Sequence, residues 1–82
     1  MTQITVYMRP GCHLCEEVVE SLVAMHGEGY RFALVEVDIE SEEALLRRML
    51  EKIPVVEIDG EIVSELVLDD AAVRARLDTV QA

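Results

Sequence analysis

Residues 9–15, Arg9-Pro10-Gly11-Cys12-His13-Leu14-Cys15 (RPGCHLC), set two cysteines three positions apart behind a Pro-Gly turn. Just before them, Gln3-Ile4-Thr5-Val6-Tyr7-Met8 is rich in β-branched and aromatic residues, which predicts a strand that stops at Pro10-Gly11. From Cys15 onward, Val18, Val19, Leu22 and Val23 recur at spacings of three and four, the apolar stripe of a helix. Gly27 and Gly29 close that helix. A strand, a turn and a helix with a cysteine pair at the junction leave three chemistries open. The pair can hold a metal, staple a small fold, or exchange electrons.

The rest of the composition narrows the choice. Eighty-two residues make one domain, spanning 1–82, with a hydrophobic fraction of 51%. A chain of this size buries only about 60% of its unfolded surface, yet one core suffices and no disulfide scaffold is needed. A bridge across so short a loop removes little unfolded-state entropy and stabilises weakly. Seventeen acidic against seven basic residues give a formal net charge of −10, which argues against nucleic acid and anionic membrane surfaces as partners. The first residues lack a basic n-region with a long apolar stretch behind it, and no apolar run approaches the roughly 20 residues of a membrane span. The expectation is a monomer of the reducing cytoplasm, where a close cysteine pair is catalytic or metal-binding more often than structural.

No repeat, linker or low-complexity tract divides the chain. Arg31–Val37 (RFALVEV) is apolar on both alternations except at Glu36, the pattern of a strand buried on two faces. Ser41 is positioned to cap a second helix with Leu45, Leu46, Met49 and Leu50 as its stripe. Val55–Ile58 and Glu61–Leu68 flank Asp59-Gly60, a strong two-residue hairpin signal. Asp69 or Asp70 then caps a last helix that turns Val73, Leu77 and Val80 inward. The order is β-α-β-α-β-β-α. Its first two strands, joined through a helix, must be parallel with a right-handed crossover, and its last two form an antiparallel hairpin. The predicted fold class is α/β, a mixed four-stranded sheet flanked by three helices.

On the first turn of a helix, Cys12 and Cys15 share one face about 5–6 Å apart, within the Cα separation a disulfide accepts. Cys12 stands at the helix N-terminus, where unpaired N–H groups and the dipole favour a thiolate. Cys15 falls on the apolar stripe and is predicted to be buried. An exposed thiolate beside a buried thiol is the asymmetry that disulfide exchange needs. A tetrahedral zinc needs four N or S ligands; besides the cysteines there is only adjacent His13, with His26 about four turns away. A metal site is therefore expected only if two chains share it. His13 either lowers the Cys12 pKa and donates to its thiolate, or is a solvated side chain at a helix start. Glu16 and Glu17 oppose a thiolate but suit a helix N-terminus in their own right.

The element order, the Cys-x-x-Cys directly after the first strand, and KIPVVEIDGE (residues 52–61) together resemble the thioredoxin superfamily, specifically a short glutaredoxin-like protein, over nearly the whole chain. The resemblance implies a thioredoxin-like fold and a cis Ile53-Pro54 bond facing the cysteines. It also implies that the backbone of Ile53 pairs with an extended peptide or with glutathione, and that Arg9 meets the glycyl carboxylate of glutathione. Two departures bear on that ligand. The cysteine motif holds His-Leu where glutaredoxins usually carry an aromatic. Leu66-Val67 stands where they carry Gly-Gly, and its bulk would crowd the γ-glutamyl arm. Relative to thioredoxins, Val6 replaces an aspartate, and the tryptophan before the motif is missing.

The function implied is a dithiol thiol–disulfide oxidoreductase. Cys12 attacks a substrate disulfide and Cys15 resolves the mixed disulfide, with Arg9, His13, Ile53 and Pro54 around the substrate. No bound cofactor is expected. Glutathione is one candidate reductant and a reductase another; the substrate is a disulfide-containing protein or a small thiol. The alternatives are a non-catalytic binding module on the same fold, or a metal or cluster held by Cys12 and Cys15 of two chains.

Overall fold

The computed structural model describes residues 1–81; Ala82, the last residue of the expected domain, lies outside them. Strand β1 (Gln3–Met8) leads through the Pro-Gly turn into α1 (His13–Gly27) and back to β2 (Ala33–Asp38). A short 3₁₀ turn (Ile39–Ser41) precedes α2 (Glu43–Met49). The hairpin β3 (Val55–Ile58) and β4 (Glu61–Glu65) follows, and α3 (Asp70–Val80) ends the chain. The sheet order is β2-β1-β3-β4. β1 runs parallel to β2 and antiparallel to β3, and β3 and β4 are antiparallel. This is the thioredoxin-like arrangement.

Alternation along β1 and β3 divides the core in two. Ile4, Val6, Val56 and Ile58 face α1 and α3, where Val18, Leu22, Met25, Val73 and Leu77 meet them. Val55 and Tyr7 point to the other face, packed with Ile39, Met49 and Ile53. Each fully buried aliphatic side chain contributes roughly 1.5–3 kcal/mol, so the α1/α3 face supplies most of the stability. The hairpin turn is built as its dipeptide predicts: Asp59 and Gly60 both adopt positive φ, 49° and 87°, as a type I′ turn requires.

Several local expectations are corrected. β2 is an edge strand, not one buried on two faces: Ala33, Val35 and Glu36 are exposed. The seven-residue α2 covers only the part of its face over Tyr7 and Val55, leaving Val35 bare. Ser41 does not cap α2. Its hydroxyl donates to the Asp38 carbonyl at 2.6 Å and closes the 3₁₀ turn, while α2 starts after Glu42 without a side-chain cap. β4 stops at Glu65 because Leu66 takes a positive φ of 66°. Val80 lies beyond the reach of the sheet and is exposed, as are Val23 and Leu50. Asp69 is the α3 cap, accepting from the Ala72 N–H at 3.0 Å.

Candidate functional site

Arg9-Pro10-Gly11-Cys12 is a β-turn, closed by the Cys12 N–H donating to the Arg9 carbonyl at 3.2 Å. Pro10 fixes the second position and Gly11 takes φ +78° at the third, the combination of a type II turn. A Cβ on Gly11 would meet nothing within 4 Å; the glycine serves backbone conformation, not space. The turn delivers Cys12 to the N-cap of α1, where its Sγ accepts the Cys15 N–H at 3.2 Å. A sulfur thus takes the place of the usual capping oxygen. That donor and the positive end of the helix dipole stabilise negative charge on the sulfur whenever the disulfide is open.

Cys12 and Cys15 are joined as a disulfide, with Cα atoms 5.2 Å apart. Cys15 is 1% exposed and Cys12 is partly exposed, so only the N-cap sulfur presents itself to solvent. Among the described residues no group of three or more His, Cys, Asp or Glu side chains is placed to hold a metal ion.

The other sequence candidates are distributed as follows. Arg9 is engaged by Glu40: its Nη2 lies 2.6 Å, and its Nε 2.9 Å, from one Glu40 oxygen. His13 has an 84% exposed side chain with Nδ1 3.7 Å from Glu16 and Nε2 4.0 Å from Glu17. Pro54 is buried behind a cis Ile53-Pro54 bond. The Ile53 N–H, expected to receive a peptide, instead donates to the Met49 carbonyl at 3.1 Å. The end of α2 runs directly into the proline segment and consumes that donor.

One element of the site carries backbone strain. Leu66 holds φ 66°, and the Val67 N–H reaches back to the Glu65 carbonyl at 2.8 Å, which makes a γ-turn of the rare positive-φ kind. Its surroundings fix it. The Leu66 N–H donates to the Lys52 carbonyl at 2.9 Å. Buried Ser64 donates to the Val67 carbonyl and accepts the Asp69 N–H, both at 2.9 Å. Leu66 and Val67 are thereby held 53% and 70% exposed, lining with Leu14 a small depression of about 120 Å³ at the start of α1.

Leu14 was not among the sequence candidates. It sits inside the cysteine motif but off the Cys15-Val18-Leu22 stripe, and an apolar residue off the stripe is the signal that marks it. Glu40 was missed too, because nothing local ties it to Arg9 across 31 positions.

A model of the glutaredoxin-like domain (DUF836) matches residues 3–78 of this chain. The chain belongs to that family. Two solved structures agree closely with this glutaredoxin-like domain. Protein Ne2328 of Nitrosomonas europaea has a TM-score of 0.80 at 30% identity, over 92% of this chain and 89% of its own. Target protein XcR50 of X. campestris has a TM-score of 0.73 at 32% identity, over 93% and 96%. The oxidised thioredoxin of Plasmodium falciparum, at 14% identity over 99% of this chain and 82% of its own, shares the fold with a TM-score of 0.64. No curated protein matches the sequence. Among the described residues no helix is long and apolar enough to cross a membrane.

Proposed function

We propose that this glutaredoxin-like domain is a dithiol thiol–disulfide oxidoreductase of the cytoplasm, acting as a monomer on protein disulfides. In the reduced form, the Cys12 thiolate attacks one sulfur of a substrate disulfide. A Cys12–substrate bond forms, and the departing sulfur leaves as a thiolate that takes up a proton. Cys15 then loses its proton and attacks the Cys12 sulfur, closing the Cys12–Cys15 disulfide and releasing the second substrate thiol. A thiol-class reductant returns two electrons and two protons by the same exchange run backwards.

One observation carries this reading: the disulfide joins an N-capping, solvent-reachable sulfur to a buried one a helical turn later. Three features favour protein disulfides over glutathione. Leu66 and Val67 put exposed bulk where the resemblance expects a Gly-Gly pair, Arg9 is held by Glu40, and the Ile53 N–H is spent on Met49. The apolar depression at Leu14 and Leu66 suits a hydrophobic side chain beside the target cysteine.

The test is trapping and labelling. After reduction, alkylation at neutral pH is expected to modify Cys12 at least about tenfold faster than Cys15. Cys15→Ser should accumulate a mixed disulfide through Cys12, and Cys12→Ser little. Equal labelling, or faster labelling of Cys15, would remove the assignment of roles.

A further inference from the structure

On the β2 side of α1, away from Leu14 and Leu66, a cleft of about 350 Å³ has an apolar floor of Met8, Cys15 and Val19. Its walls carry Glu16 and Glu20 from α1 and Glu36 from the edge strand. Arg9 also borders it, with its charge already matched by Glu40. Farther along the same helix and strand, a second, separate depression of about 220 Å³ is lined by Val23, His26, Phe32 and Leu34. Beside the cleft runs the outer edge of β2, which among the described residues has a strand partner only on its β1 side. The opposite face of β2 at this level is Val35, apolar and exposed.

We propose that this groove docks an extended, basic segment of a protein partner, added as a fifth strand along β2. Strand addition satisfies main-chain groups at the free edge and reads alternate side chains on the two faces. On the α1 face, Lys or Arg stems lie over Met8 and Val19 while their head groups meet Glu16, Glu20 and Glu36. On the other face, intervening apolar residues cover Val35. The required partner therefore alternates basic and apolar residues. A second copy of this chain does not fit: it brings a net charge of −10 and a glutamate at the same edge position. That the partner bears a disulfide rests on the chemistry proposed above; the docking itself does not.

The probe is a fluorescein-labelled peptide alternating valine and arginine, compared with its valine–glutamate counterpart by anisotropy and amide chemical-shift mapping on the intact protein. The arginine peptide is expected to bind saturably and more weakly as salt rises, with shifts at Val19, Val35 and Glu36; N-methylation along one peptide edge should abolish binding. Glu20→Lys with Glu36→Lys is expected to weaken binding about tenfold. The charge-matched control, Glu42→Lys with Glu51→Lys, should change it by less than about twofold. Equal losses in both variants, shifts confined to Leu14 and Leu66, or no saturable binding would overturn the proposal. Turnover of a small disulfide by the natural sequence reads the dithiol chemistry separately. Turnover without peptide binding sinks the groove alone, and peptide binding without turnover leaves the groove standing and removes only the disulfide from its partner.

Discussion

The Leu66 N–H donates to the Lys52 carbonyl at 2.9 Å, and this bond ties the segment before Pro54 to a γ-turn at φ 66°. A leucine at that φ costs about 1–2 kcal/mol relative to glycine. The structure bears that cost while leaving half the side chain in solvent. The conformation is glycine's, and the side chain is not.

Leu66→Gly with Val67→Gly therefore removes strain as well as bulk. Thermal unfolding should show stability unchanged or raised by about 1 kcal/mol despite the lost apolar surface. Glutathione-dependent turnover should rise about fivefold or more, the scale of one recovered contact. A destabilised variant with unchanged glutathione turnover would mean that these side chains do not obstruct the site.

Glu40→Gln should release Arg9. The pair is about 40% exposed on both sides, and such pairs contribute no more than about 1 kcal/mol, so the melting temperature should barely move. Kinetics is the sensitive readout. The KM for glutathione should fall by up to about fivefold with kcat little changed, as expected when a carboxylate-binding group is freed.

Ser64→Ala should damage the loop out of proportion to its size. Ser64 is 5% exposed and its hydroxyl is both donor to Val67 and acceptor from Asp69, so its removal orphans two backbone groups. A loss of about 1–3 kcal/mol in urea unfolding is expected. Amide exchange at Asp69 should accelerate more than at Val56 in the central strand pair.

Four side-chain pairs at or near the surface contribute to the pH dependence of stability at its two ends. The hydrogen bond from Arg74 holds the Glu28 carboxyl below its ordinary range, and that from Arg76 does the same for Glu61. A depressed folded pKa gives stability that is present above the unfolded value and lost as pH falls through the folded one. Tyr7 and Tyr30 are shifted the other way. Their bonds to Glu57 and Asp78 hold the phenols above the ordinary value of 10.0. Their contribution is complete below that value and lost as pH rises through the folded pKa. Urea midpoints followed across pH should show Glu28→Gln shallower on the acid limb only, and Tyr30→Phe shallower on the alkaline limb only.

The parts legible in sequence are those fixed by local rules. The Pro-Gly and Asp-Gly turns, the Cys12 position at a helix start and a cap at Asp69 or Asp70 each depend on a few adjacent residues. What local reading missed depends on what covers what. Arg31–Val37 reads as doubly buried, yet α2 is too short to shield Val35. Ser41 is a good cap whose hydroxyl found the Asp38 carbonyl first. The cis bond before Pro54 came from family resemblance, whereas the loss of the Ile53 N–H to Met49 could not, because it follows from how α2 ends. The Arg9–Glu40 pair joins residues whose proximity only the parallel pairing of β1 and β2 creates.

Because β1 lies between β2 and β3, the core beneath the cysteines is closed by segments far along the chain from them. A chain emerging from the ribosome through Ser41 can form α1 and bring Cys12 to Cys15, since that geometry spans a single helical turn. It cannot yet complete the core, because Val56, Ile58, Val73 and Leu77 have still to arrive. Native long-range contacts of this kind come late. Burial of Cys15 therefore depends on residues from both halves of the chain. The spacing that lets the cysteines pair is set by one helical turn, and the hierarchy between them by the finished core that buries Cys15.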